Sequence, residues 1–141
     1  MATASPRILV VDDEQPVQQL LDRTLRSEGY DVVPALDGEQ ALDEISRQSF
    51  DLVMLDVMLP KLDGWRVAEA LLEDPTTGEI PIVFLTARAE LRDQARGLEL
   101  GGIDYITKPF NPVELADVIR ELLDRVSRGE HTSLRKMTNG V

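Results

Sequence analysis

Short apolar runs alternate along the chain with longer segments in which apolar residues recur at helical spacing. The short runs are rich in aliphatic residues and predict β-strands at 7–11, 30–35, 51–55, 80–85 and 103–107. Helical periodicity predicts helices at about 16–28, 38–48, 65–73, 91–100 and 112–127. Several of the strands are too apolar for a sheet with one face in water, so we expect helices to cover both faces.

This alternation predicts an α/β fold around a doubly wound, five-stranded parallel sheet. Parallel strands need crossover connections, and those crossovers are right-handed. With 141 residues, of which 43% are hydrophobic, the chain can form one ordinary domain. We expect this domain to comprise residues 1–127. Residues 128–141 lose the apolar periodicity and are expected to be a flexible tail or a truncated linker.

Charge and composition narrow the classes of function. The chain has 15 basic and 26 acidic residues and a net charge of −11, which repels nucleic acid phosphates and anionic lipids. We therefore expect no direct nucleic acid binding and no membrane association. The absence of cysteine excludes disulfides and thiolate chemistry. The first residues lack the apolar core of a signal peptide, which favours a cytoplasmic location.

One carboxylate interrupts the apolar run "DLVMLDVMLP" at Asp56. An ionised carboxylate in apolar surroundings is costly unless it is paired, hydrogen-bonded or bound to a metal. In an open parallel sheet, ligand-binding groups lie beyond the carboxyl ends of the strands. The predicted strands run into polar residues that should therefore meet in one crevice: Asp12, Asp13, Asp56, Thr86 and Lys108.

Oxygen ligands without histidine or cysteine suit magnesium, which usually keeps several waters and needs few protein ligands. We predict Asp13 and Asp56 as side-chain ligands of Mg²⁺ and the backbone carbonyl of Met58 as a third. Asp12 is expected to orient a metal-bound water.

The same cluster predicts phosphoryl transfer to a carboxylate. Asp56 is the expected nucleophile, and Lys108 with the hydroxyl of Thr86 is expected to neutralise the phosphoryl oxygens. No residue is in a position to act as a base that completes hydrolysis. The aspartyl phosphate is therefore expected to persist as a signal.

Four motifs, "ILVVDDE", "DLVMLDVMLPKLDG", "VFLTA" and "DYITKPF", resemble those of response-regulator receiver domains, which are CheY-like. The resemblance covers about residues 7–127. It implies a flavodoxin-like three-layer sandwich with strand order 2-1-3-4-5. It also implies phosphorylation of Asp56 by a sensor histidine kinase or phosphotransfer protein, Mg²⁺ bound through Asp12, Asp13 and Asp56, and control of a downstream protein or effector domain.

The resemblance also implies a conformational switch. Thr86 and Lys108 would sense the phosphoryl group, and the ring of Tyr105 would turn inward when Thr86 moves towards it. The family further has a cis peptide bond before the proline that follows its lysine, here Pro109. Without the resemblance, a tyrosine on a strand is ordinarily a packing residue.

Two other classes of function share features with this sequence. A haloacid-dehalogenase-like phosphatase also uses an aspartate after a parallel strand, but it needs an acid two residues later, where this chain has Met58. A phosphorylation-independent scaffold of the same fold would be expected to lack part of the acidic cluster, the hydroxyl or the lysine. Every one of these residues is present.

A homodimer is also implied, through the fourth predicted helix, the fifth strand and the fifth predicted helix, because this segment resembles receivers of winged-helix transcription factors. Ile103 and Val118, however, stand where those proteins commonly have an aspartate and an arginine. Losing these charges removes pairs that would fix the register of the dimer, so the sequence leaves its formation open.

Overall fold

Five parallel strands form one sheet in the order β2-β1-β3-β4-β5. They are β1 (Arg7–Val11), β2 (Asp31–Ala35), β3 (Leu52–Asp56), β4 (Ile82–Thr86) and β5 (Asp104–Thr107). The computed structural model describes residues 5–59, 64–86, 104–108 and 110–128. The predicted parallel sheet and its strand order are confirmed.

Four helices are described: α1 (Gln15–Ser27), α2 (Gly38–Arg47), α3 (Gly64–Glu73) and α4 (Pro112–Ser127). They lie within two residues of the predicted bounds. The helix predicted at 91–100 and the tail beyond residue 128 fall outside the described residues. Within the described part of the chain, no helix combines the length and the apolar character needed to cross a bilayer.

Alternation along the strands divides the core into two layers, one on each face of the sheet. On one face, strand residues such as Ile8, Val10 and Met54 pack with α1 and α4. On the other face, residues such as Leu9 and Phe84 pack with α2 and α3. The sheet is therefore covered on both sides, which explains why its strands are almost wholly apolar and confirms the three-layer arrangement.

Local sequence signals set several helix ends. The Asp37 carboxylate accepts the backbone N–H of Gln40 at 2.8 Å and caps α2. Asn111, just before α4, accepts the N–H of Val113 at 2.9 Å. Gly29, with φ of 90°, follows α1 in the left-handed conformation that glycine tolerates.

One polar residue of α1, Gln18, is buried on the face of the helix that packs on the sheet. The amide nitrogen Nε2 of Gln18 lies 3.0 Å from three backbone carbonyl oxygens, those of Val10, Asp12 and Ala35. Leu20 is only half-buried. Gln18 thereby ties the start of α1 to the ends of β1 and β2, and it stabilises the loop that carries Asp12.

Gly64, the first residue of α3, lies directly against the backbone of Asp56. A Cβ atom at this position would overlap the carbonyl oxygen of Asp56 and would lie 2.8 Å from Cα of Val57. The Gly64 N–H also donates to the carbonyl of Val57 at 3.3 Å. Only glycine permits this approach between α3 and the strand that carries Asp56.

We therefore expect Gly64→Ala to lower the free energy of unfolding by about 1–3 kcal/mol, the usual cost of overpacking. Gly78→Ala is the matched control, because its Cβ would come no closer than 3.2 Å to another atom. Urea unfolding followed by circular dichroism measures both variants. A Gly64→Ala protein as stable as Gly78→Ala would show that the contact with Asp56 is not tight.

Candidate functional site

The carboxyl ends of the strands bring distant residues together. Val11 pairs with Leu55, so Asp12 and Asp56 follow at the same level of neighbouring strands. Thr86 pairs with Thr107, which places Lys108 one residue beyond the end of β5. Alternation puts Asp12 and Asp56 on the side of the sheet that α1 and α4 cover. The site lies where open parallel sheets usually bind ligands.

Asp56 is a buried carboxylate whose two oxygens have different partners. Its Oδ1 accepts the backbone N–H of Met58 at 2.9 Å, and its Oδ2 accepts a hydrogen bond from Nζ of Lys108 at 3.0 Å. Burial raises the pKa of Asp56, while the Met58 N–H and Lys108 act to lower it and the charge of Asp12 acts to raise it. The carboxylate is therefore held in place and largely desolvated.

Asp12 is fully buried. Its Oδ1 accepts the N–H of Glu14 at 2.9 Å, which shapes the turn into α1. Its Oδ2 lies 2.6 Å from Nζ of Lys108, but this ion pair lacks the geometry of an aligned hydrogen bond, and Oδ2 has no hydrogen-bond donor among the described residues. A buried carboxylate oxygen without a hydrogen-bond donor can accept a further positive partner.

Lys108 lies at the centre of the negative charges. Its Nζ is within 3.0 Å of carboxylate oxygens of Asp12, Glu14 and Asp56. Burial alone would lower the pKa of Lys108, but the contacts of its ammonium with these three carboxylates outweigh burial and raise the pKa above its ordinary value. The side chain is therefore a fixed positive charge at neutral pH.

The acidic residues also fit a divalent metal. Asp12, Asp13 and Asp56 each offer a carboxylate oxygen, and these oxygens lie within 4.8 Å of one another. Asp13 is exposed and opens the cluster to solvent, whereas the other two are buried. A set of oxygen donors alone, with an excess of negative charge beside one ammonium, suits a hard cation.

The structure thus brings together Asp12, Asp13, Asp56 and Lys108, the charged residues that the sequence assigned to one crevice. Met58 lies beside them, 74% exposed, with its N–H directed at Asp56. The side chains of Thr86 and Tyr105, and the whole of Pro109, fall outside the described part of the chain.

Sequence reasoning missed three residues that shape the site: Glu14, which binds Lys108, Gln18, which holds the Asp12 loop, and Gly64, which packs on Asp56. Glu14 and Gly64 both stand inside quoted motifs, directly after the acidic pair and at the end of "DLVMLDVMLPKLDG". Gln18 gave a weaker signal, since it is a polar residue on the apolar face of a helix.

Comparison with known protein families agrees with this geometry. Residues 8–120 match the model of the response regulator receiver domain. The probable transcriptional regulator ycf27 of Porphyridium aerugineum is 46% identical over 86% of this chain and 50% of its own length. The alkaline phosphatase synthesis transcriptional regulatory protein PhoP of Bacillus subtilis is 47% identical over 84% of this chain and 49% of its own length. The chain therefore spans about half the length of these relatives.

Solved structures show the same fold. A putative response regulator from Chloroflexus aurantiacus superposes with a TM-score of 0.81 and is 36% identical, covering 86% of this chain and 99% of its own. The receiver domain of the sensor histidine kinase PA1611 from Pseudomonas aeruginosa, described with a magnesium ion coordinated in its active-site cleft, has a TM-score of 0.79 and 34% identity over 86% and 99% of the two chains. None of these matches supports a haloacid-dehalogenase-like phosphatase. The chain belongs to the response regulator receiver domains, the phosphoacceptor domains of two-component signalling.

Proposed function

We propose that Asp56 is the residue of this receiver that accepts the phosphoryl group, from a sensor histidine kinase or a phosphotransfer protein. The observation that carries the proposal is the environment of Asp56. Its carboxylate is buried at the end of the central strand, 3.0 Å from the Lys108 ammonium and grouped with Asp12 and Asp13. A carboxylate beside a lysine and a metal-binding cluster has the partners that phosphoryl transfer requires.

In the proposed reaction, one carboxylate oxygen of Asp56 forms a bond to phosphorus. The bond from phosphorus to the donor group breaks, and its electron pair leaves with that group. The Met58 N–H fixes the carboxylate, and the Lys108 ammonium donates to the phosphoryl oxygens as their charge redistributes. Mg²⁺ bound by Asp12, Asp13 and Asp56 would supply further positive charge to those oxygens. The backbone carbonyl of Met58 is a further proposed protein ligand.

The remaining assignments follow from the same proposal. The hydroxyl of Thr86 binds the phosphoryl group, Tyr105 moves with it, and the peptide before Pro109 turns Lys108 towards the crevice. The domain then controls a downstream protein or effector domain. Small phosphodonors can serve in place of a kinase, and dephosphorylation is slow.

The proposal also covers the domain bounds, the location and the partners of the chain. Residues 1–127 form the receiver, with 128–141 as a tail or linker, and the domain acts in the cytoplasm. The relatives are named transcriptional regulators, but a net charge of −11 argues that nucleic acid is not a partner of this chain itself. The proposal includes a homodimer formed through the predicted helix at 91–100, β5 and α4. Sedimentation of the phosphorylated protein tests it.

Incubation with acetyl phosphate and Mg²⁺ is expected to add the mass of one phosphoryl group to the intact protein. Asp56→Asn should abolish the gain, because an amide is a poor nucleophile. Asp51→Asn is the matched control, since Asp51 is an exposed carboxylate next to the opposite end of β3, about 16 Å away. Intact mass spectrometry decides the assignment, and a full mass gain in Asp56→Asn would refute it.

We also expect Met58→Asn to speed dephosphorylation several-fold while leaving phosphorylation by acetyl phosphate largely unchanged. Hydrolysis needs a water in line with the bond to Asp56. The exposed apolar side chain of Met58 beside this carboxylate can obstruct that water, whereas an amide can orient it.

The measurement for Met58 follows the decay of the phosphorylated protein after the donor is removed. Val113→Asn is the matched control, because Val113 is similarly exposed, at 70%, but lies at the start of α4. Unchanged or slower decay in Met58→Asn, with the fold intact by circular dichroism, would contradict the expectation.

A further inference from the structure

Glu14 occupies the N-cap position of α1 but does not cap the helix. Its side chain makes no capping hydrogen bond to the first turn. Instead its Oε1 lies 2.9 Å from Nζ of Lys108, a residue 94 positions later in the chain. Serine, threonine, asparagine or aspartate would stabilise the helix better at this position. In the folded protein the Glu14 side chain therefore binds Lys108 and does not cap α1.

The Lys108 ammonium has three N–H groups and three carboxylate neighbours. The distances from Nζ are 2.6 Å to Asp12, 2.9 Å to Glu14 and 3.0 Å to Asp56. A lysine ammonium donates at most three hydrogen bonds. Hydrogen bonds to Glu14 and Asp56 already use two of these donors, and Asp12 lies closest to Nζ as an ion pair, so a phosphoryl oxygen on Asp56 that approaches Lys108 competes with these carboxylates for the ammonium.

Burial decides which carboxylate leaves most easily. The Glu14 side chain is 57% exposed, whereas those of Asp12 and Asp56 are 0% and 5% exposed. A buried carboxylate that loses its ion pair remains desolvated, which is costly, but an exposed one is taken up by water. Glu14 is therefore the partner that Lys108 can release at least cost.

We propose that Glu14 is a positioning residue that holds Lys108 in the unphosphorylated site and is exchanged for a phosphoryl oxygen when Asp56 is phosphorylated. This inference rests on the proposed function of Asp56. Glu14 competes with the incoming phosphoryl group for the ammonium and so limits how readily the domain is phosphorylated. Its contribution to folding is small, because exposed ion pairs stabilise proteins little.

Two substitutions separate this contact from the general charge of the site. Glu14→Gln removes the negative charge and weakens the bond to Lys108. Glu14→Asp keeps the charge but shortens the side chain by one methylene, roughly 1.5 Å, which breaks the 2.9 Å contact. Glu28→Gln is the matched control, because it makes the same charge change roughly 20 Å away at the other end of α1.

The experiment measures the rate of phosphorylation by acetyl phosphate at saturating Mg²⁺, by intact mass, in the full chain. Both Glu14 variants are expected to react about two- to fivefold faster than the unsubstituted protein, the factor that an exposed ion pair corresponds to, and Glu28→Gln at the unsubstituted rate. The NMR signal of the Lys108 ammonium should also shift in both Glu14 variants, because each loses the 2.9 Å contact with the ammonium.

Three results would overturn the inference. A faster phosphorylation rate in Glu14→Gln but not in Glu14→Asp would show that the Glu14 charge repels the anionic acetyl phosphate and does not act through Lys108. Unchanged or slower rates in both variants would show that Glu14 does not compete, while the proposed role of Asp56 would stand. A protein that takes up no phosphoryl group at all would refute the role of Asp56 and this inference with it.

Discussion

The ammonium of Lys108 allows carboxylates from distant parts of the chain to lie together at one edge of the sheet. Asp12 and Asp56 are buried, and each would be costly there without a positive partner. Lys108 comes from the end of β5, two strands away from β3, and reaches both. Four carboxylates, those of Asp12, Asp13, Glu14 and Asp56, nevertheless outnumber one ammonium. The site therefore keeps an excess of negative charge that a divalent cation can offset.

The rest of the fold serves to hold these charges in position. The parallel sheet aligns the ends of β1, β3 and β5 on one edge. Gln18 fixes the loop after β1 through backbone carbonyls, and Gly64 lets α3 approach the backbone of Asp56. Because both contacts are made to backbone atoms, they fix the main chain that carries the carboxylates. Such positioning favours a site whose charges are preorganised for the phosphoryl group.

The sequence predicted the sheet, the described helices and the meeting of the charged residues because these depend on periodicity and on where strands end. It did not predict Glu14, Gln18 or Gly64, because their roles depend on atoms brought close by the fold. The bond from Glu14 to Lys108 spans 94 positions, and no local pattern specifies it. Gln18 is buried although it is polar, since three carbonyl groups there need a donor. The switch roles of Thr86 and Tyr105 and the cis peptide before Pro109 rest on the family resemblance.

The claim that Lys108 and a divalent metal balance the same negative charge is tested most directly by the magnesium affinity of Lys108→Ala. Isothermal titration calorimetry compares it with the unsubstituted protein, after circular dichroism has shown that the variant is folded. Removing the ammonium leaves Asp12, Glu14 and Asp56 without their shared positive partner. The variant should therefore bind Mg²⁺ at least as tightly as the unsubstituted protein, because the ammonium no longer repels the cation. Weaker binding in the folded variant would contradict the charge balance on which the site depends.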